Sequence, residues 1–256
     1  TGNVGLGSGA FGTALTTGTD NVAIGEASLD AVTTGSDNVA IGDNALGAQT
    51  TASFNVGIGS DAGLAITTGD RNVAIGYQAL KTNTVGDRSV AVGYSALYTQ
   101  NPASNADMGN VAIGNLSMYS TTTGTNNTGV GFNSMFANTT GANNTAVGAL
   151  AGDAITTGLG NVAVGYRSLS SNTTAASNTA IGVDALTSNT TGTSNTAVGR
   201  DTLNQQTTAS YNTALGHQAL NLNTSGANNT ASGYKALYAN TTGTENSAFG
   251  GYAGLA

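Results

Sequence analysis

Cysteine and tryptophan are absent from this 256-residue chain, and proline occurs once, at Pro102. Charged residues make up 7% of it, against roughly 25% in ordinary domains. Without cysteine there is no disulfide framework, no thiolate nucleophile and no zinc–thiolate site. His217 is the single histidine, so no second imidazole exists to complete a metal site or an acid–base pair. The six basic residues (Arg71, Lys81, Arg88, Arg167, Arg200 and Lys235) are scattered along a chain of net charge −7, which argues against nucleic acid as a partner. No run of about 18 apolar residues is present, so no helix of this sequence inserts in a membrane, and no signal peptide is visible. Aromatic residues amount to 5%. The length would allow a large globular core, but the bulky side chains that build one are missing.

What the chain has is glycine, 38 residues of it, and a phrase that returns at a nearly fixed interval. Asn-(Val/Thr)-Ala-(Ile/Val)-Gly starts at Asn3, Asn21, Asn38, Asn55 and Asn72, continues through Ser89 and Asn110, and runs on to Asn246. Of the 14 intervals between these 15 starts, 12 are 17 residues; the others are 18 and 21. The abundance of Gly, Ser, Thr and Asn by itself suits a disordered segment. Disorder, however, does not require one residue type at each place in a 17-residue cycle. A period this short makes each unit one coil of a stack rather than a domain.

With the repeat Asn counted as position 0, position 4 is Gly in all 15 repeats, which marks a sharp turn or a close backbone approach. Positions 1 to 3 alternate as a short strand, with Ala or Gly at position 2 and Ile or Val at position 3, and both faces read as covered. Position 8 is usually Leu or Met. Where position 8 is Gly instead, at Gly63 and Gly152, Ile66 and Ile155 appear at position 11, so one buried volume is filled from two alternative places. Position 14 is Gly with departures at Ala52, Ala175 and Ala209, a less demanding turn. The threonines of position 12 and the asparagines of position 0 are expected to form ladders of like side chains along the stack. The pattern predicts an all-β parallel β-solenoid of about 15 coils over residues 1–256, with two short strands and two turns per coil. It also predicts a segment of a longer fibrous protein. The Ile/Val stripe of so small a coil predicts association of several chains, three around a common axis, as a homotrimer.

The phrase Asn-x-Ala-Ile-Gly-x-x-(Ser/Ala), closest in Asn21–Ser28 and Asn72–Ala79, resembles the head repeat of the YadA-like trimeric autotransporter adhesins. Its combination with Thr-Thr-Gly is also similar to repeats of phage tail fibres. The resemblance covers essentially the whole chain, although the adhesin repeat is shorter and lacks the Thr-Thr-Gly excursion. It implies a left-handed β-roll, a homotrimer and an extracellular place on a bacterial surface or a virion appendage. It further implies attachment to a host-surface protein or glycan.

Chemistry in the ordinary sense is not expected: the chain reads as a non-enzyme with no cofactor and no metal. Gly7-x-Gly9-x-x-Gly12 matches a dinucleotide fingerprint but lacks a βαβ unit around it. Asp70 and Asp87 recur in successive coils without the nonapeptide calcium signature, and read as solvated turns. Sequons such as Asn138-Thr139-Thr140 and Asn189-Thr190-Thr191 follow from the repeat itself. The candidate surface contacts are aromatic: Tyr77, Tyr94, Phe132, Tyr166 and Tyr234 at position 5, and Tyr98, Tyr119, Phe136 and Tyr238 at position 9. Packing between neighbouring chains is the competing reading for them. The insertion at Asn101–Asn105 is expected to bulge outward as a contact loop. An alternative function is ice binding through threonine files. Against it, the paired threonines are adjacent, as in Thr33-Thr34, and strand alternation sends them to opposite sides.

Overall fold

A computed structural model of the chain describes residues 2–254. The chain divides into two compact units, Thr1–Asn126 and Asn127–Ala256. Together they hold about 14 turns of a parallel β-solenoid with a 17-residue repeat, and no helix occurs among the described residues.

In the first unit the strands are β1 (Val4–Leu6), β2 (Val22–Ile24), β3 (Val39–Ile41), β4 (Val56–Ile58), β5 (Val73–Ile75), β6 (Gly86–Asp87), β7 (Val90–Val92), β8 (Ala106–Asp107) and β9 (Val111–Ile113). Seven of them pair in parallel, each with the equivalent strand of the next coil, as in Val39↔Val56, Ala40↔Gly57 and Ile41↔Ile58. In the second unit β10 (Thr128–Val130), β11 (Thr145–Val147), β12 (Val162–Val164), β13 (Thr179–Ile181), β14 (Thr196–Val198), β15 (Thr213–Leu215), β16 (Thr230–Ser232) and β17 (Ser247–Phe249) pair in the same register. The expected second strand is not there: each coil has one three-residue strand, and the return half is turns. The exceptions are β6 and β8, which pair with each other as Gly86↔Ala106 and Asp87↔Asp107 beside the 21-residue coil.

Turns replace the second strand because most coils hold three residues in the left-handed region, usually other than glycine. They fall at positions 6, 8 and 16, as in Asp184 (φ 53°), Leu186 (φ 53°) and Ser194 (φ 57°). Each such residue costs about 1–2 kcal/mol in an L-amino acid. The neighbouring coils hold it in place, because the reversal points its amide along the stack. Asp184 N–H donates to Tyr166 O of the coil before at 3.0 Å, and Leu186 N–H donates to Thr202 O of the coil after at 2.9 Å. Position 4 goes further, with φ near 134° at Gly182, where a Cβ would stand 2.6 Å from Gly199 O.

The interior is small. Ala at position 2, Leu or Met at position 8 and the residue at position 11 fill it, all essentially without exposure, as at Ala180, Leu186 and Leu203. The volume exchange at positions 8 and 11 is as expected: a Cβ on Gly63 would lie 3.0 Å from the Ile66 Cδ1, and one on Gly152 2.8 Å from the Ile155 Cδ1.

Position 0 supplies the polar spine. In the second unit Asn178 Oδ1 accepts the backbone N–H of Asn195 at 3.0 Å and its Nδ2 at 3.1 Å, while Asn178 Nδ2 donates to Gly192 O at 2.8 Å. Ser89 breaks the spine in the first unit, and Gln100 of the same coil bridges the break. Gln100 Nε2 donates to Ser89 Oγ at 2.9 Å, and its Oε1 accepts Asn110 Nδ2 at 2.9 Å. Position 14 is not a left-handed turn but a close approach. A Cβ on Gly192 would sit 2.0 Å from Ala209 O and 2.5 Å from Asn189 Oδ1. At Ala52 and Ala209, two of the three departures at position 14, position 11 is the longer Gln49 or Gln206, which reaches the Ala carbonyl at 2.9 and 3.0 Å; at Ala175 the shorter Asn172 does so at 3.2 Å.

Candidate functional site

Three surfaces emerge from this coil, each set by one part of the repeat. The strand alternation of positions 1 to 3 turns Ala inward and leaves the flanking residues half-buried or exposed. The branched residue of position 3 is therefore not covered within the chain, contrary to the expectation of two buried faces. Ile41 and Ile113 in the first unit and Ile181 and Leu215 in the second are 36–41% exposed, and they form apolar files in which each rung repeats the one below. The physical reason is room: the coil interior takes an Ala and a Leu, and a second branched side chain per strand has nowhere inside to go.

The aromatic candidates separate into two groups. At position 5, Tyr77, Tyr94, Phe132, Tyr166 and Tyr234 are exposed, while Tyr98, Tyr119, Phe136 and Tyr238 at position 9 are half-buried. Register brings equivalent rings together. Tyr77 stacks on Tyr94 with centroids 5.5 Å apart and Tyr98 on Tyr119 at 5.1 Å. In the second unit His217 stacks on Tyr234 at 5.5 Å, with Nε2 3.8 Å from Asp201 Oδ2. Lys235 lies between Tyr234 and Tyr238, 5.5 and 5.2 Å from their centroids, within cation–π reach. Sequence reasoning missed one contact of this kind: Arg71 at position 16 lies 5.8 Å from the ring of Phe54, one coil away at the same position.

The third surface is the threonine pair. Position 12 donates its hydroxyl to the backbone carbonyl of the next threonine, as in Thr33 Oγ1 to Thr50 O (3.1 Å) and Thr156 Oγ1 to Thr173 O (3.1 Å). The expected ladder of like side chains is thus a side-chain-to-backbone ladder. Position 13 points away from it and is exposed, as at Thr34, Thr51, Thr157 and Thr174.

The ionisable groups serve the stack. Asp70 Oδ1 accepts Ser53 N–H and Asp87 Oδ1 accepts Asp70 N–H, both at 2.7 Å, so these carboxylates take the ladder place that Ser36 and Ser53 hold in earlier coils. No group of three metal-ligating side chains occurs among the described residues. Lys81 donates to Asp61 Oδ2 at 2.9 Å, and this bond holds the Asp61 carboxyl below its ordinary range. A concavity lined by Leu237, Asn240, Asn246 and Gly254 holds no titratable side chain. The asparagines of the position-11 sequons, Asn138 and Asn189, are fully buried with Nδ2 bonded to Gly141 O and Gly192 O, so they are not glycan acceptors in the folded chain. The insertion only partly bulges: Pro102 is buried and residues 103–105 are exposed.

Asp153 is the misfit. Burial pushes its carboxyl up from the ordinary value and outweighs the backbone hydrogen bonds of Asp153 and Ala154 and the charge of Arg167, which pull the other way, while Oδ1 is buried without a partner. A carboxyl raised by folding contributes most to stability below its unfolded value of about 3.9, and that contribution is lost as pH rises through the folded value. Asp153→Asn is therefore expected to raise the melting temperature near neutral pH and to leave it unchanged at low pH. Melting curves at both ends of the range check this, and an equal shift at both would contradict it.

No protein-family model, curated protein or solved structure matches the chain.

Proposed function

We propose that this chain is a structural and adhesive fibre segment: a homotrimeric β-roll, extracellular, that holds an attachment surface away from a bacterial cell or a virion. The observation that carries it is the uncovered Ile/Val file of position 3, exposed in both units on an otherwise laddered and rigid coil. Apolar surface repeated rung after rung is costly in water, and association with sister chains along the stack removes it. The resemblance to adhesin heads and tail fibres supports the same reading. In it the exposed rings of Tyr77, Tyr94 and their counterparts at position 5 contact a host-surface protein or glycan.

Sedimentation equilibrium tests the assembly. The expected mass is three times that of the 25.0 kDa chain, and Ile181→Asp is expected to shift the population to smaller species by placing a charge in the contact. A monomer at micromolar concentration sinks the trimer. For attachment, an immobilised panel of glycans and extracellular-matrix proteins is the readout, and Tyr77→Ser with Tyr94→Ser should lose whatever signal the parent gives.

A further inference from the structure

Position 13 is the one near-invariant place in the repeat with no folding role for its functional group. Thr140, Thr157, Thr174, Thr191 and Thr208 occupy it in five successive coils of the second unit, and all five are exposed. Position 4 is fixed by backbone approach, position 0 by the asparagine spine and position 12 by a hydroxyl bonded to a carbonyl. The five position-13 hydroxyls make no hydrogen bond within the protein. Nor does shape require threonine. Val85 stands at the same position in the first unit, so a branched side chain without a hydroxyl fits there.

The threonines do not stand alone. Along these five coils burial runs exposed, buried, then half-exposed or exposed over positions 13, 14 and 15, as at Thr191, Gly192 and Thr193. Positions 13 and 15 therefore both face outward, with position 14 buried between them. The second file is Ala142, Leu159, Ala176, Thr193 and Ser210. The result is a two-file grid that repeats every ~4.8 Å along the stack, one rung per coil. It is held rigid by inter-coil bonds such as Thr190 N–H to Thr207 O at 2.8 Å. No charged residue occurs at positions 12 to 16 of these five coils. Adjacency of the two threonines therefore does not spoil the face: position 12 turns into the ladder, and position 15 supplies the partner file.

We propose that this grid is an ice-binding face. Recognition of a flexible glycan or a peptide needs a few well-placed groups rather than rank and file. A neutral, rigid file of threonine hydroxyls and methyls, beside a second file that is mostly apolar and whose Ser210 Oγ accepts the Thr193 N–H at 2.9 Å, suits a solid whose own surface is a neutral array of O–H groups at fixed spacing. The methyls order the water over them, and the hydroxyls anchor that layer in register with the rungs. Leu159, 51% exposed, is the one large side chain standing out of the grid.

The test is thermal hysteresis together with partitioning of the full chain into a growing ice front. The parent should arrest crystal growth. Thr174→Lys and, separately, Thr191→Tyr should each lower the hysteresis at least ten-fold, with far-ultraviolet circular dichroism and melting temperature unchanged. Gln205→Lys, at an exposed place off the grid, should match the parent, and Leu159→Ala should exceed it. Absence of hysteresis and of ice partitioning in the parent overturns the proposal. So does equal activity in the folded Thr174→Lys chain, or binding to crystalline cellulose without binding to ice.

Discussion

Gly182→Ala is expected to cost the second unit more than 4 kcal/mol of unfolding free energy, a range reached only by severe backbone or core damage. At φ 134° an alanine is in a region almost reserved for glycine, worth about 1–3 kcal/mol in strain. Its Cβ would also stand 2.6 Å from Gly199 O and 2.7 Å from Gly199 C. Those atoms are backbone, locked one rung along, and cannot swing aside as a side chain would. Relief requires the two coils to part, which stretches the Gly199 N–H bond to Ile181 O and the Thr179 N–H bond to Asn195 O, both 2.8 Å. Gly160→Ala is the control: φ is 63° and nothing lies within 4 Å of its Cβ, so about 1 kcal/mol is expected. Urea unfolding followed by circular dichroism measures both. Equal losses would mean that coil-to-coil approach at position 4 does not govern stability.

The second large effect is expected at the asparagine spine. Asn178→Ser removes the acceptor of Asn195 N–H and Nδ2 and the donor to Gly192 O, all at fully buried residues. Gly192 O keeps its bond from Asn189 Nδ2 at 2.9 Å, so the cost falls on Asn195, roughly 2–4 kcal/mol for buried donors left unpaired. The chain also shows its own repair. At Ser89 the missing amide is replaced by Gln100 at position 11 of the same coil, which bonds to the serine and to the next asparagine. Adding Asn189→Gln to Asn178→Ser copies that arrangement and should recover at least half of the loss. Asn189→Gln alone should be neutral or mildly unfavourable. A double variant no better than the sum of its parts would show that the Gln100 bridge belongs to the 21-residue coil and does not transfer.

These effects also mark what could be read in advance. The strand at positions 1 to 3, the demand for Gly at position 4 and the interchange between Gly63 with Ile66 and Leu80 with Asn83 were legible, because each is a choice of side-chain volume. The left-handed residues at positions 6 and 8 were not, because Leu186 and Asp184 carry no mark of that conformation. Their signal was faint but present. Position 8 is Gly at Gly63 (φ 60°) and Gly152 (φ 56°), and position 16 is often Asp, Asn or Gly, the residues that visit this region most easily. Reading those glycines only as volume hid the turn and suggested a second strand in its place. Equivalent aromatic rings stack between coils, but Tyr98 and Tyr119 are half-buried where Tyr77 and Tyr94 are exposed, a difference their residue type does not carry.

The sequence by itself determined the period, the parallel in-register pairing, and the Ala of position 2 and Leu or Met of position 8 as filling of the coil. A 17-residue cycle with Asn and Gly at fixed places admits no other stacking. Only the tertiary structure decided where each polar group goes: the position-12 hydroxyl to a carbonyl, the position-13 hydroxyl to the surface, the Ile of position 3 to the outside. The reason is that an isolated coil pairs few of its own amides. Their direction is set by the rungs on either side, and that direction, imposed residue by residue, turns a pattern of types into a pattern of faces.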